Sequence, residues 1–303
     1  MRSPSSPSIP GSPIGLPNVG NTCFANTALQ SLFAVSEFKN RILHSTQTHP
    51  LVKGLREIFT NLNSGTPMDR HHISTTLGEI FSTLNRSGQY KVGSSADAYL
   101  FIMDCLGTLK DKKEPAHQCF SFNYFDVICD KNQTSYRVET PHTPTFSLNL
   151  AIDKGPNLMD MIRALGDNEL LTGANQWERR DGRKVDAIRC TKFENLPQAL
   201  LLNFHRIIQN PGVGLTKNDN PVHLPLLFDF PGDTMAHPAV AKYGFTAGGV
   251  HLGDAHGGHY IACVKDKKNG GFWVFDDSSV YHMDDGEALK FLNGAFFVIY
   301  EKL

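Results

Sequence analysis

Apolar positions recur every three or four residues through the first third of the chain. Ala28, Leu29, Leu32 and Phe33 form one stripe, and Leu51, Val52, Leu55, Ile58, Phe59 and Leu62 form a second. Ile73, Leu77, Ile80, Phe81 and Leu84 repeat the pattern, as do Ile102, Cys105, Leu106 and Leu109. This spacing puts each set on one face of a helix, so residues 23–110 are expected to be helical. After Pro115 the period shortens toward two. Phe120, Phe122 and Tyr124 alternate with Ser121 and Asn123, and the runs 134–139 and 146–150 read as short strands. A brief helix fits 157–165. Leu200–Ile208, His259–Val264, Gly271–Phe275 and Ala295–Tyr300 are the strand candidates of the last third. Helices first and strands later is the α+β pattern.

Composition changes this picture at one end only. Residues 1–13 hold five Ser and four Pro, which cannot build a core and are expected to form a disordered leader. From Ile14 the chain is globular, with no second linker and no internal repeat. At 303 residues it is one large domain or two intimately packed ones, and it can bury enough apolar surface to fold without a staple. Lys+Arg 29 against Asp+Glu 30 leaves a formal charge of −1, which argues against a nucleic-acid partner. Cysteines 23, 105, 119, 129, 190 and 263 show no CxxC pair and read as reduced thiols of a cytoplasmic protein. No apolar run reaches the ~18–20 residues of a membrane span, and no secretory signal opens the chain.

Three segments carry chemistry. In Asn18-Val-Gly-Asn-Thr-Cys23-Phe24 a Gly/Asn turn runs into an amphipathic helix with Cys23 in or beside its first turn. Unpaired N–H groups and the positive helix end favour a thiolate there. An arbitrary cysteine is more often a small buried side chain, and the other five are read that way. In Tyr243 to Tyr260 a glycine-rich loop delivers His259 to the start of a strand, where a general base is held yet reachable. A phosphate loop fails for want of Gly-Lys-Ser/Thr. A metal set from His251, His256 and His259 has no fixed facing geometry, and a structural histidine is the default. In Trp273-Val-Phe-Asp276-Asp277 a carboxylate ends the next strand. A Lys/Asn/Gly hairpin would set it beside His259, where it can take the imidazole N–H; turn capping is the ordinary role of such a pair. The joint order Cys, His, Asp favours nucleophilic catalysis.

The stretch Gly15-Leu-Pro-Asn18-Val-Gly-Asn-Thr-Cys23-Phe-Ala-Asn26 resembles the cysteine box of the ubiquitin-specific proteases. Tyr243–Tyr260 resembles their histidine box and Trp273–Val280 their acidic segment. Ser95-Ala-Asp97-Ala-Tyr-Leu-Phe-Ile resembles their Gln-rich helix start, and Leu196 to Arg206 the entry to the palm. The boxes span Gly15 to Tyr300. The resemblance implies a papain-like α+β fold of thumb (about 14–116), short fingers (about 117–195) and palm (about 196–303). It implies Cys23 as nucleophile, His259 as base, Asp276 as orienting acid and Asn18 as oxyanion donor, where an amide is worth several kcal/mol. Asp277 is a second acid able to share the orienting role. Asp97, Gly258, Tyr260 and His251 are the implied substrate-binding residues.

Two departures from the family pattern bear on function. The paired CxxC zinc sites are missing: the stretches read Cys129-Asp-Lys-Asn132 and Cys190-Thr-Lys-Phe193. A set from Cys119, Cys129, Cys190 and His117 or His142 is the remaining zinc alternative; no metal and no cofactor are expected. Leu100 stands where the family usually has a Glu that helps hold arginines of the ubiquitin tail. The function implied is a monomeric thiol isopeptidase cutting after the Gly-Gly of ubiquitin or a ubiquitin-like modifier. Against it stand a non-catalytic ubiquitin-binding scaffold and a papain-like enzyme with another acyl substrate, which reactive-thiol labelling and a substrate panel separate.

Overall fold

The computed structural model describes residues 12–84, 88–130, 138–141, 144–237 and 239–303. Residues 1–11 of the expected leader, residues 134–137 of one expected strand, Asn132 and His142 lie outside them.

Five helices come first: α1 (Cys23–Ala34), α2 (Ser36–His44), α3 (Pro50–Ser64), α4 (Arg70–Leu84) and α5 (Ala98–Asp111). The four apolar stripes fall on α1, α3, α4 and α5, and each buries its stripe except for Phe33 of α1, which is only partly covered. Phe24, Phe81, Tyr90 and Phe101 lock α1, α4 and α5 together, with ring centroids 5.5–6.1 Å apart. α5 starts cleanly because Asp97 accepts the Leu100 N–H at 2.8 Å, as an N-cap aspartate does.

The middle of the chain runs β1 (Tyr124–Asp130), β2 (Val138–Pro141), β3 (Ser147–Leu150), α6 (Leu158–Leu165), β4 (Glu169–Leu171), β5 (Trp177–Glu178), β6 (Lys184–Val185) and β7 (Ala187–Phe193). A four-stranded sheet in the order β2-β1-β7-β4 stands apart. Within this stretch β3 leaves it and joins the large sheet instead, parallel to the next strand.

The last third supplies β8 (Ala199–Phe204), β9 (Ile207–Asn210), β10 (Gly214–Lys217), β11 (Leu227–Asp229), β12 (Lys242–Gly253), β13 (Gly258–Lys265), β14 (Phe272–Asp276), β15 (Ser279–Met283), α7 (Asp285–Leu292) and β16 (Ala295–Lys302). The large sheet orders them β15-β14-β13-β12-β16-β8-β3, with β11 on β12. β8 is buried along its whole length. Leu201 faces the helical core, while Leu200 and Leu202 face the second core with α6 and α7. A strand covered on both faces reads as an unbroken apolar run, which is why Ala199–Phe204 does.

The glycine-rich stretch before His259 is not a loop. Residues 242–253 are the longest strand of the sheet and only Asp254–Gly257 form the turn. The glycines serve packing: a Cβ on Gly249 would lie 2.3 Å from the Phe297 ring, and one on Gly248 2.9 Å from Leu292. Glycine inside a strand marks close approach of neighbouring groups.

Arg206 is the largest buried polar side chain. It donates to the carbonyls of Ala295, Asn218, Asn220 and Asn293 at 2.6–2.9 Å. These bonds fix the chain leaving β10, where Lys217 Nζ in turn donates to the carbonyls of His251 and Gly253. The turn that carries the chain into His259 is thereby held from below.

Candidate active site

Three separate pieces of chain converge. The first is the loop Ile14–Thr22. Gly20 and Asn21 take positive φ of 112° and 50° and turn the chain into α1. The Asn18 side-chain oxygen accepts the backbone N–H groups of Gly20 and Thr22 at 3.1 and 3.2 Å, closing that turn. Cys23 is the first residue of α1 and is buried. The helix's first internal bond runs from the Asn26 N–H to the Thr22 carbonyl, so the Cys23 N–H has no partner within the helix.

The second and third pieces are the hairpin β13–β14, which pairs Ala262 with Phe275 as the expected hairpin requires. It brings Asp276 onto His259: Nε2 lies 2.6 Å from Asp276 Oδ1. The other ring nitrogen, Nδ1, is left for the Cys23 sulfur, which is near enough to favour the charged ring. That sulfur, and then the Asp276 carboxylate, favour the imidazolium and push His259 up to about 9, with burial opposing. The imidazolium persists up to about 9 and is lost above it, so any step needing a proton from His259 fails on an alkaline limb near pH 9. Asp276→Asn should move that limb of a kcat/KM profile to lower pH; an unmoved limb would show that Asp276 does not act on the ring.

Asp277 does different work. Its nearest approach to His259 Nε2 is 3.8 Å, beyond hydrogen-bond range. Its two oxygens instead accept Asn18 Nδ2 at 2.9 Å and Asn26 Nδ2 at 2.8 Å. Its backbone carbonyl accepts the Leu16 N–H at 3.0 Å, and any Cβ on Gly15 would sit 2.2 Å from that carbonyl oxygen. Asn26 also donates to the carbonyls of Leu16 and Pro17. The loop before Cys23 is therefore laced to the acidic turn through Asp277. Asn26 and Gly15, which sequence reasoning only quoted as part of a motif, are the residues that make this possible.

Asn18 is held so that one N–H is committed to Asp277 and its oxygen is occupied by the turn. Its second N–H has no acceptor among the described residues and, with the Cys23 N–H, can meet a developing oxyanion.

The four residues expected to bind substrate gather around the same cleft. Tyr260 donates its O–H to Asp97 at 2.9 Å, so both Asp97 oxygens are engaged, one at the α5 N-cap and one here. The His251 ring packs 4.7 Å from that of Tyr260, and burial followed by nearby Lys217 lowers its pKa, keeping it neutral. Gly258 passes against it: a Cβ there would lie 2.6 Å from the His251 ring and 1.9 Å from the Leu252 carbonyl.

Among the described residues, the one group of three metal-capable side chains is His259, Asp276 and Asp277 itself, whose atoms are already committed as above. Cys119 donates to the Ala116 carbonyl within the helical core, where burial pushes its thiol up to about 12. Cys190 stands opposite Val127, two residues along β1 from Cys129.

A cysteine at a helix start, an imidazole on its sulfur and a carboxylate on the far ring nitrogen define the arrangement of a papain-like cysteine hydrolase. The family model described as "Ubiquitin carboxyl-terminal hydrolase" matches residues 14–300, and the chain belongs to that family. Ubiquitin carboxyl-terminal hydrolase 26 of Oryza sativa subsp. japonica is 27% identical over 88% of this chain and 26% of its own length. Ubiquitin carboxyl-terminal hydrolase 2 of Homo sapiens is 24% identical over 95% of this chain and 54% of its own. This chain thus spans about a quarter to a half of such relatives. A chain of the SAGA DUB module Ubp8/Sgf11/Sus1/Sgf73 bound to monoubiquitin superimposes with a TM-score of 0.81 at 20% identity, over 96% of this chain and 69% of that one. The module bound to ubiquitin aldehyde matches at 0.81 with 19% identity and the same coverage. The likeness shows that the fold is shared.

Proposed function

We propose that this chain hydrolyses the peptide or isopeptide bond after the C-terminal Gly-Gly of ubiquitin or a ubiquitin-like modifier. The observation that carries the reading is the Cys23–His259–Asp276 relay with the Asn18 amide tied to Asp277 beside it. Family membership and solved relatives bound to monoubiquitin and ubiquitin aldehyde support it.

In this mechanism the Cys23 sulfur, having given its proton to His259, attacks the carbonyl carbon of the terminal glycine. Charge gathers on the carbonyl oxygen, where the free Asn18 N–H and the Cys23 N–H receive it. His259 passes its proton to the departing lysine amine, and a thioester to Cys23 remains. Water, deprotonated by the now neutral His259, attacks the thioester and releases the modifier. Asp276 stabilises the imidazolium formed at each stage. The enzyme acts as a cytoplasmic monomer without nucleic acid or membrane, a reading that the charge of −1 supports for nucleic acid. Asp97, Tyr260, Gly258 and His251 line the path of the modifier's tail.

The test is a panel of fluorogenic modifiers: ubiquitin, its close relatives and SUMO-type tails. Cleavage confined to one tail type names the substrate, and binding without turnover would leave a scaffold in place of an enzyme.

The tail contacts make a smaller prediction. Leu100 is 46% exposed at the first turn of α5, and it cannot pair with an arginine. Asp97 beside it already holds the Leu100 N–H and the Tyr260 hydroxyl. The charged hydrogen bond that family members place here, roughly 1.5–3 kcal/mol, is missing. Replacing each tail arginine of ubiquitin by alanine in turn should therefore cost about tenfold or less in kcat/KM at one of them. Losses far above a hundredfold at both would mean that another acid reads that position.

A further inference from the structure

A cavity of about 300 Å³ lies between the C-terminal ends of α1 and α3, the start of α2, and strands β13 and β14. It lies beside the catalytic cleft: Ile14, at the start of the loop before Cys23, and Phe275, next to Asp276, belong to its lining. Phe33 is ten residues along α1 from Cys23, about 15 Å at a helix's rise, and Lys265 is six residues along β13 from His259, about 20 Å. None of Asn18, Cys23, His259, Asp276 and Asp277 lines it.

Its lining has two parts. Phe33, Ala34, Leu62, Val264, Trp273 and Phe275 supply apolar surface. Lys39, Lys267 and Lys268 bring cationic side chains to it, while the Lys265 ammonium lies on the other face of the sheet, over the Phe272 ring. Lys265 is paired with Asp285 and Lys267 with Glu301. Lys39 and Lys268 have no carboxylate partner among the described residues; the Lys39 ammonium lies 5.1 Å over the Phe33 ring. The one acid of the lining, Asp266, is engaged by its own loop and faces His282, whose Nε2 lies 3.8 Å from Oδ2. It accepts the N–H groups of Lys268 and Asn269 and the Asn269 amide at 2.9–3.0 Å. An apolar floor under two unneutralised ammonium groups suits a molecule with an apolar tail and one anionic head. Nothing in the hydrolytic mechanism uses it.

We propose that this cavity is a second binding site, for a small amphipathic carboxylate whose tail packs on Phe33, Trp273 and Phe275 and whose acid lies between Lys39 and Lys268. The proposal stands independently of the hydrolase reading.

Trp273 is one of two tryptophans, so Trp177→Phe leaves it as sole reporter. The experiment titrates that protein with octanoate and with octanamide, following Trp273 fluorescence. Isothermal titration of the unaltered chain repeats the comparison without the Trp177 change. Octanoate should saturate, with a Kd roughly tenfold below that of octanamide, as two rim charges provide. In Lys39→Ala/Lys268→Ala the two probes should bind within about twofold of each other, with an unchanged melting temperature. Equal affinities in the unaltered chain, no saturation by octanoate, or a carboxylate preference that survives loss of both lysines would each overturn the proposal.

Discussion

Cys23→Ala should reduce hydrolysis of a ubiquitin C-terminal substrate by roughly a millionfold in kcat, to background. The substitution removes a single sulfur from the first residue of α1, a side chain 6% exposed. The turn that builds the site is made by Asn18, Gly20, Asn21 and Thr22, and the Asn26 clamp does not pass through the sulfur. Stability should therefore change by about 1 kcal/mol or less, so an unchanged circular dichroism spectrum accompanies the loss. A ubiquitin C-terminal electrophile gives the second readout. Burial pushes the thiols of Cys119 and Cys263 up to about 12 and raises that of Cys105 as well. Those three stay protonated at neutral pH and are poor nucleophiles. The unaltered chain should take up one equivalent and Cys23→Ala none. Turnover by Cys23→Ala at the parental rate would mean that another nucleophile acts.

The elements that the sequence made legible are those whose signal is local. α1, α3, α4 and α5 each carry four or more apolar residues on one face, and the hairpin β13–β14 carries its Lys/Asn/Gly turn. α2 falls inside the expected helical range 23–110 but has no apolar stripe of its own, because only Phe38 and Ile42 are buried in its nine residues. It is held instead by tertiary contacts, including the Ser36 N–H donating to Glu301 at 2.8 Å. β12 was misread as a loop because glycine usually signals a turn. Here Gly248 makes room for Leu292 and Val298 and Gly249 for Phe297, side chains 44–50 positions away, and no window along the chain contains that information.

The catalytic site divides the same way. Cys23, His259 and Asp276 sit at the ends of elements flanked by recognisable turns, so their order and neighbours reveal them. The role of Asp277 is invisible locally. It depends on amides 251 and 259 residues upstream, and beside Asp276 it reads as a duplicate acid. Asn26 lies on the buried side of α1, where a polar residue has no periodic signature. Two features mark it: an amide in a buried helix needs acceptors, and a second acid next to a triad acid needs donors.

That division of labour between the two acids yields the second large effect. The Asp277 side chain is 14% exposed, against 43% for Asp276, and its backbone has φ 54°. A carboxylate that buried is stable only while both of its amide bonds are made. Asp277→Ala removes the acceptor that aims the Asn18 N–H, so kcat should fall by about 10²–10³ with little change in KM, as when an oxyanion donor is lost. It also removes the acceptor of the Asn18 amide and one of the three acceptors of the Asn26 amide, which should lower the melting temperature, since a lost charged hydrogen bond costs about 1–3 kcal/mol. Asp277→Asn keeps one acceptor oxygen and should fall between. The decisive readout is the pH profile. Asp276 is hydrogen-bonded to the ring and raises the His259 pKa, whereas Asp277 stops 3.8 Å short, with its oxygens engaged by Asn18 and Asn26. The alkaline limb near pH 9 should therefore move less in Asp277→Ala than in Asp276→Asn. If both variants moved the limb equally, Asp277 would be a second orienting acid for the imidazole, and its hold on Asn18 would be incidental. If instead Asn18→Ala matched Asp277→Ala in kcat, and the double variant were no worse than either alone, the two would act as a single device.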